Sequence, residues 1–525
     1  MKTLADLIHR NARFHGNRIA VIDGDRQLTH RQLADRAVTL AGGLQTRFNM
    51  SAQDRFVLLS KNRMEAIETL AASAVSSFIL VQLNWRLAAA ELAAVVMDAE
   101  PKVAIVDVQS LDLWRDIAAR CENRIPLIVI GESEEGDVSR SEEIAFSEFV
   151  AISPPLPANH PVAADDVAHI IYTSGTTGKP KGAMLSQSGM LAGAEQLSGY
   201  VGHRPTDRIV VSMPLFHVGG IIEWYAVQFL GGSCVVLQQF TPVDFFQAVE
   251  RTRATVAHLA PVMVKRLVEA PERSRYDISS LIRVLYGSAP VPPEDLKRAN
   301  KAMGAIFNQT YGMTESVAVS LLLTYQQDPD GDEVALRRLA SAGHPYPHTE
   351  VWIENENGIR CKTGEVGEVV ARSAAQFVGY WRNPEATATT LIDGAVRTGD
   401  VGFLDEDGFL FIVDRAKDVI VSGGENIYSS EVENALMAHE AVREAAVVSA
   451  PDEKWGEAVI AHVVLAPGMQ SDEAELIAHC RSLIAGYKRP REVHVVDALP
   501  RLPHGKIDKK ALRARYWDGR DRMVS

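Results

Sequence analysis

Apolar residues recur along this chain in two alternating textures. Stretches with apolar positions three and four apart, such as 33–44 and 63–73, predict helices. Short continuous apolar runs at 56–59, 103–106 and 126–130 predict strands covered on both faces. Over residues 1 to about 165 this alternation predicts a layered α/β subdomain with parallel strands. A Pro-rich connector at 153–161 then leads into an apolar run at 167–172, and runs at 208–212, 234–237, 254–259 and 282–286 predict a second such subdomain. After about 340 the chain changes to turn-punctuated strands. A hairpin is expected from 351–354 through Asn357-Gly358 to 367–372, and another from 402–404 to 409–413 across 405–408. From Lys417 on, helix 430–437, strands 444–448 and 459–465, helix 472–483 and strand 492–496 predict a small α+β unit. The most apolar window, 69–83, is interrupted by serines and falls short of the ~18 to 20 residues of a spanning helix. It predicts a buried helix running into a strand.

Composition narrows the class. With 525 residues, 46% of them hydrophobic, the chain exceeds one ordinary core, so two or more domains are expected. A net charge of −13 argues against a general nucleic-acid binder. Cys121, Cys234, Cys361 and Cys480 are far apart, without a Cys-x-x-Cys pair, and signal neither a disulfide framework nor a zinc site. The first ten residues carry Asp6 and Arg10 in a helical pattern and lack the apolar core of a signal peptide. A cytoplasmic location without a transmembrane segment is expected; a homodimer is left open.

Candidate chemistry starts at Thr173-Ser-Gly-Thr-Thr-Gly-Lys-Pro-Lys-Gly182, where two hydroxyl pairs, three glycines and two lysines follow an apolar run. Glycines let backbone N–H groups approach an anion, hydroxyls donate further hydrogen bonds, and lysines neutralise charge. The spacing is not that of a P-loop, since two residues separate Gly175 from Gly178 and Pro180 follows Lys179. Taken alone the segment is equally a surface turn. A second cluster, Asn308-Gln-Thr-Tyr-Gly-Met-Thr-Glu315, reads as a loop at the exit of a strand at 305–307, able to stack a base, bind phosphate and hold Mg²⁺. Arg397-Thr-Gly-Asp400, Asp414-Arg-Ala-Lys-Asp418 with Gly423-Gly-Glu-Asn-Ile-Tyr428, and Leu502-Pro-His-Gly-Lys-Ile507 complete the set. Each of these alone reads as an ordinary surface segment.

Jointly and in this order, the clusters resemble the AMP-forming adenylate synthetases, the superfamily of acyl-CoA synthetases, luciferases and peptide-synthetase adenylation domains. Met213-Pro-Leu-Phe-His217, Tyr286-Gly-Ser-Ala-Pro290, Gly379-Tyr-Trp-Arg-Asn-Pro384 and Tyr428-Ser-Ser-Glu-Val-Glu433 extend the resemblance along the whole chain. It implies a large N-terminal domain, 1–414, built from two layered α/β subdomains and a β-rich one. A small, mobile α+β domain, 415–525, would follow.

The implied activity is an ATP-dependent carboxylic acid–CoA ligase that passes through acyl-AMP, using ATP, Mg²⁺ and CoA. By resemblance, Thr173, Ser174, Gly175, Thr176, Thr177 and Lys181 lie along the phosphates, while Gly287, Ser288, Ala289 and Tyr311 hold adenine. Thr314 meets the α-phosphate, Glu315 holds Mg²⁺, and Asp400 and Arg415 contact the ribose. Lys506 bridges carboxylate and α-phosphate oxygens in the first step. Lys417 is the hinge, Gly423 and Gly424 line the pantetheine tunnel, and His217 gates the acyl tunnel. Segments 217–224 and 316–320 would line the acyl pocket; they are mostly small or apolar, and Glu223 and Trp224 fit it less well.

That lining suits fatty or aryl acids; the stand-alone length and the resemblance of Pro214-Leu-Phe-His-Val-Gly-Gly220 to medium- to long-chain fatty acyl-CoA synthetases lean towards a fatty acid, with a 4-coumarate-like aryl acid as the alternative and a carrier protein as the alternative acceptor. Gln187, Gln82 and Pro503 depart from the residues common in such enzymes and put local geometry in doubt.

Overall fold

The computed structural model describes residues 1–131, 143–173, 180–287, 291, 293–304, 306–415, 418–422, 425–452, 455–502 and 506–517, with the backbone alone for Ile306, Glu425, Asn426 and Ser482. They form two compact units, Met1–Val351 with Val370–Thr398, and Trp352–Val369 with Gly399–Ser525.

The first unit holds two sheets. One has eight described strands in the order Gly379–Tyr380, Lys181–Ser186, Val167–Thr173, Ile79–Gln82, Arg55–Leu59, Val103–Asp107, Leu127–Ile130, Glu143–Ala145. It is parallel from Val167–Thr173 onward and antiparallel at the Lys181–Ser186 edge. The other has nine, in the order Arg26–Thr29, Ile19–Asp23, Ser233–Val236, Arg208–Val211, Val256–Leu259, Arg283–Gly287, Ile306–Met313, Ser316–Leu322, His344–Pro345. Its central strands are parallel, as their continuous apolar runs require.

The hairpin Ile19–Asp23/Arg26–Thr29 turns through Gly24 at φ +59°. It pairs Val21 with Cys234, so the N-terminal segment joins the second sheet and not the one that follows it in sequence. The window 69–83 is resolved as expected: the helix Met64–Val75 is buried but for Glu65 in its first turn and leads into Ile79–Gln82. The departure at Gln187 is structural. Its buried amide accepts from the Leu4 N–H at 3.0 Å and donates to Ser73 and Ala74 carbonyls, tying the N-terminal helix Leu4–Phe14 to the core.

Glu68, on that buried helix, is 1% exposed and lies 2.9 Å from Arg36. Burial, opposed by Arg36, pushes its carboxyl up to about 7. A carboxyl raised on folding contributes stability that is complete below its unfolded value near 4.5 and is lost as pH rises through about 7. Relative to wild type, Glu68→Gln is therefore expected to gain up to about 3 kcal/mol between pH 4.5 and pH 8. Unfolding midpoints across that range check this, and a difference that stays flat with pH would sink it.

In the second unit, residues 400–404 of the strand Ala395–Leu404 pair with Leu410–Arg415 as the expected hairpin. Asp405 Oδ1 accepts from the Asp407 and Phe409 N–H groups, and Gly408 sits at φ +81°. The Asn357-Gly358 turn closes locally, Glu354 bridging Arg360, and the strand Gly367–Ser373 begins seven residues later. The C-terminal sheet runs Glu425–Ile427, Ile420–Ser422, Gly456–Leu465, Val442–Asp452, with Glu492–Val495 parallel to Gly456–Leu465. Its strands alternate. Val447, Val459, Ala461 and Val463 pack under the helices Ser429–Met437 and Glu473–Leu483, whereas Ala446, Val448, Ile460 and Val464 pack under Lys509–Trp517.

Candidate active site

The phosphate-loop candidate connects two hydrogen-bonded strands. Thr173, last residue of Val167–Thr173, pairs with Lys181, first residue of Lys181–Ser186. Ser174, Gly175, Thr176, Thr177 and Lys179 lie outside the described residues. At the hairpin mouth the Lys181 ammonium lies 5.2 Å from the centroid of the Tyr380 ring. Tyr380 belongs to the strand Gly379–Tyr380, which pairs with Lys181–Ser186 on its outer edge. Its hydroxyl donates to Glu315 Oε1 at 2.6 Å. Burial first, and then the Glu315 carboxylate, push the Tyr380 phenol well above its ordinary pKa, so it remains a donor.

Glu315 is buried, and its carbonyl accepts from the Phe377 N–H at 2.9 Å. With half-buried Thr314 it forms the whole turn between Ile306–Met313 and Ser316–Leu322. The expected loop at 308–315 is thus corrected: the strand continues to Met313, pairing Thr310 with Gly287 on one side and Tyr311 with Ser320 on the other. Polar composition suggested a loop, yet the strand's polar side chains find hydrogen bonds to segments packed beside the sheet. Asn308 accepts from the Thr324 N–H and Gln309 donates to the Ser341 carbonyl.

Tyr311 therefore sits on a fixed strand, next in sequence to the partner of Gly287. A β-carbon on Gly287 would lie 2.9 Å from the Thr310 carbonyl oxygen, so only glycine allows this approach. Ser288 and Ala289 lie outside the described residues. His217 caps the helix Val218–Phe229, with its ring 4.5 Å from that of Phe216. In the segment expected to line the acyl pocket, Ile221, Ile222 and Trp224 are buried in the core, and so is Glu223.

In the second unit Asp400 and Arg415 are cross-strand partners. Asp400 is 3% exposed and Arg415 Nε lies 2.7 Å from its Oδ1, so the two ribose candidates form one charged pair. Asp414 accepts from Ser429, whose hydroxyl also takes a hydrogen bond from Lys509 at 2.6 Å; Lys509 lies 2.7 Å from Glu433. Lys506, three residues before that lysine, is exposed. The Leu502 N–H donates to the Lys506 carbonyl at 2.8 Å, and Arg501 bridges Ile507. Lys417, Gly423 and Gly424 lie outside the described residues.

The first unit thus brings Thr173, Lys181 and Glu315 to one hairpin mouth through Tyr380, a residue that sequence reading quoted within a motif but gave no role. The cue was a lone aromatic in Gly379-Tyr-Trp, which only the sheet edge makes meaningful. Among the described residues no group of three or more His, Cys, Asp or Glu could hold a metal. A single buried carboxylate suits Mg²⁺ that arrives with phosphates, since this ion takes one or two carboxylates and completes its shell with phosphate oxygens and water. No helix among the described residues is long and apolar enough to cross a membrane.

Comparisons with known proteins agree with this geometry. The family model described as AMP-binding enzyme matches residues 8–381, and that of the AMP-binding enzyme C-terminal domain matches 431–506. The chain is 36% identical over 508 residues to a feruloyl-CoA synthase of Amycolatopsis sp, covering 97% of this chain and 98% of that protein. It is 32% identical over 531 residues to the fatty acid–[acyl-carrier-protein] ligase ScoC of Streptomyces coeruleorubidus, covering 100% and 98%. Among solved structures, the amide bond synthetase McbA from Marinactinospora thermotolerans superposes with a TM-score of 0.86 at 32% identity, covering 98% of this chain and 100% of that one. With both family models matched and relatives aligned over nearly their full lengths, the chain belongs to the AMP-binding enzyme family and is an AMP-forming acid–thiol ligase.

Proposed function

We propose that this enzyme joins a carboxylic acid to the thiol of CoA through an acyl-adenylate. In the first step a carboxylate oxygen attacks the α-phosphorus of ATP, the bond to the bridging oxygen breaks, and pyrophosphate leaves. In the second the CoA thiol, losing its proton, attacks the acyl carbonyl and AMP departs. The observation that carries this reading is the set Lys181, Tyr380 and Glu315 at the hairpin mouth, a cation and an anchored carboxylate flanking a Gly/Thr-rich connection.

In this reading Thr173 and the connection hold phosphates, Thr314 meets the α-phosphate, and Gly287 and Tyr311 bound the adenine. Glu315 holds Mg²⁺, which neutralises phosphate charge when bound. Asp400 accepts from ribose hydroxyls while Arg415 keeps its carboxylate oriented. Lys506 supplies the cation for adenylation; the 415–525 segment then turns about Lys417 and Gly423-Gly424 admits the pantetheine arm. Free CoA and MgATP are met in the cytoplasm, the location we assign, and all four cysteines are free thiols.

Two acid classes compete. The apolar 217–224 segment suits either, and the resemblance of Pro214-Leu-Phe-His-Val-Gly-Gly220 to fatty acyl-CoA synthetases supports a medium- to long-chain fatty acid.

A panel of carboxylic acids scored by pyrophosphate release, with CoA, with a carrier phosphopantetheine, or with neither, tests the function. Pyrophosphate with thioester formed on CoA supports the ligase reading. Thioester on the carrier alone moves the acceptor to a carrier protein, and no release with any acid overturns the reading. Lys417→Pro is expected to slow one half-reaction at least about tenfold more than the other, because a hinge residue must change its backbone angles and proline fixes φ. Equal rates to wild type in both would remove the hinge.

A further inference from the structure

The helix Val218–Phe229 is almost wholly buried and carries one acidic residue, Glu223, 2% exposed. Neither carboxylate oxygen has a hydrogen-bond partner among the described residues. Oε2 lies 3.6 Å from His203 Nε2 and Oε1 lies 3.7 Å from His258 Nδ1. An isolated buried carboxylate is costly, so its neighbours decide what it does.

On one side the charges close. Asp207 takes Arg283 at 2.8 Å and a hydroxyl hydrogen bond from Thr255 at 2.9 Å, and its Oδ2 lies 3.6 Å from His203 Nδ1. Burial disfavours a charged His203, but Asp207 and Glu223 outweigh burial and raise its pKa. His203 lies between the two carboxylates and faces Glu223, as Arg283 faces Asp207.

On the other side lies His258. Burial lowers its pKa, against the pull of Glu223, so its ring is neutral. Glu223 faces Nδ1 at 3.7 Å without a hydrogen bond and the Gly219 backbone also faces the ring; the tautomer with its proton on Nδ1, towards the carboxylate, leaves the lone pair on Nε2. That nitrogen faces Gly287: a β-carbon built there would lie 3.7 Å from it. The ring carbon Cε1 faces Gly219, where a β-carbon would lie 3.4 Å away. The imidazole is thus flanked by two side-chain-free positions, one at the end of the strand Arg283–Gly287 and one in the first turn of the acyl-segment helix.

Resting on the ligase reading above, we infer that His258, held by the buried Glu223, accepts a hydrogen bond from a hydroxyl on the acyl group, so that the enzyme selects a hydroxylated carboxylic acid over its deoxy counterpart. His258 is the specificity residue and Glu223 its positioning residue. A site with a buried acceptor rejects the partnerless analogue strongly, because binding it strands that acceptor.

The test uses matched pairs on the full-length enzyme with MgATP, scored by pyrophosphate release: 4-hydroxycinnamate against cinnamate for a phenolic source, and 10-hydroxydecanoate against decanoate for an aliphatic one. The hydroxylated member of one pair is expected to be favoured in kcat/KM by about 10²-fold or more. His258→Leu is expected to invert that preference by accepting the deoxy acid, a gain that also demonstrates a folded variant. Glu223→Gln is expected to raise KM for the hydroxylated acid more than it lowers kcat, since the ring loses its orientation and not its contact. Equal kcat/KM within both pairs, or a preference that persists in His258→Leu, would overturn the inference. Turnover of other acids but of neither pair would also overturn it while leaving the ligase reading intact. No pyrophosphate with any acid would overturn that reading itself.

Discussion

Lys506→Ala is expected to slow acyl-AMP formation by about 10²- to 10³-fold, roughly 3 to 4 kcal/mol, while thioester formation from supplied acyl-AMP continues near its wild-type rate. The asymmetry follows from charge. In the first step a carboxylate meets a polyphosphate, and a fixed cation stabilises the negative charge concentrated in the transition state more than it stabilises the separated reactants. In the second step a thiol attacks an activated carbonyl and that concentration is absent. The side chain is exposed, and its backbone is held by the Leu502 N–H on the Lys506 carbonyl and by the adjoining Arg501–Ile507 bridge, so alanine removes the ammonium without opening a core. Lys506→Arg keeps the charge but replaces a compact ammonium with a wider planar fork, and an intermediate rate is expected. Acid-dependent pyrophosphate release reports the first half-reaction, and rapid-quench conversion of acyl-AMP plus CoA reports the second. Equal losses in both would refute the assignment.

Legibility in the sequence depended on how local the determining physics was. The parallel strands at 208–211, 256–259 and 283–287 were legible because strands buried on both faces must be continuously apolar. The hairpin at 405–408 was legible because its turn chemistry is local, with Asp405 and a positive-φ Gly408 inside four residues. The Ile19–Asp23 strand was missed despite its Gly24 turn, since its partner Cys234 lies more than two hundred residues away and nothing local announces that pairing. The strand through Asn308–Met313 was misread because its polar side chains find partners only in segments such as Thr324 and Ser341, which sequence spacing does not bring near.

Site roles divide likewise. Thr173 and Lys181 suggested anion-binding chemistry by composition alone, whereas the roles proposed for Lys506 and Asp400 came only from the order of motifs along the chain. The cross-strand pairing of Asp400 with Arg415, the Tyr380 anchor and the Glu223–His258 pair all required the fold.

The second large effect is expected at Glu315. Glu315→Gln keeps the side-chain length and an oxygen able to accept the Tyr380 hydroxyl, and removes one negative charge. If that charge holds Mg²⁺, kcat/KM for MgATP should fall by about 10²-fold or more, KM for the acid should change little, and excess Mg²⁺ should restore part of the rate. The Tyr380→Phe variant separates this from a structural role. It leaves the carboxylate charged but strips one hydrogen bond from a buried acceptor, a loss of about 1 to 3 kcal/mol that should appear chiefly in the unfolding midpoint. Were Glu315 only a turn residue, the two variants would show the same modest loss of stability and the same activity, because each weakens one contact. A metal role predicts opposite profiles. Glu315→Gln would be nearly as stable as wild type yet starved of Mg²⁺, and Tyr380→Phe would be less stable yet still respond to Mg²⁺ as wild type does. Titrating Mg²⁺ at fixed ATP, with unfolding midpoints for both variants, decides between them.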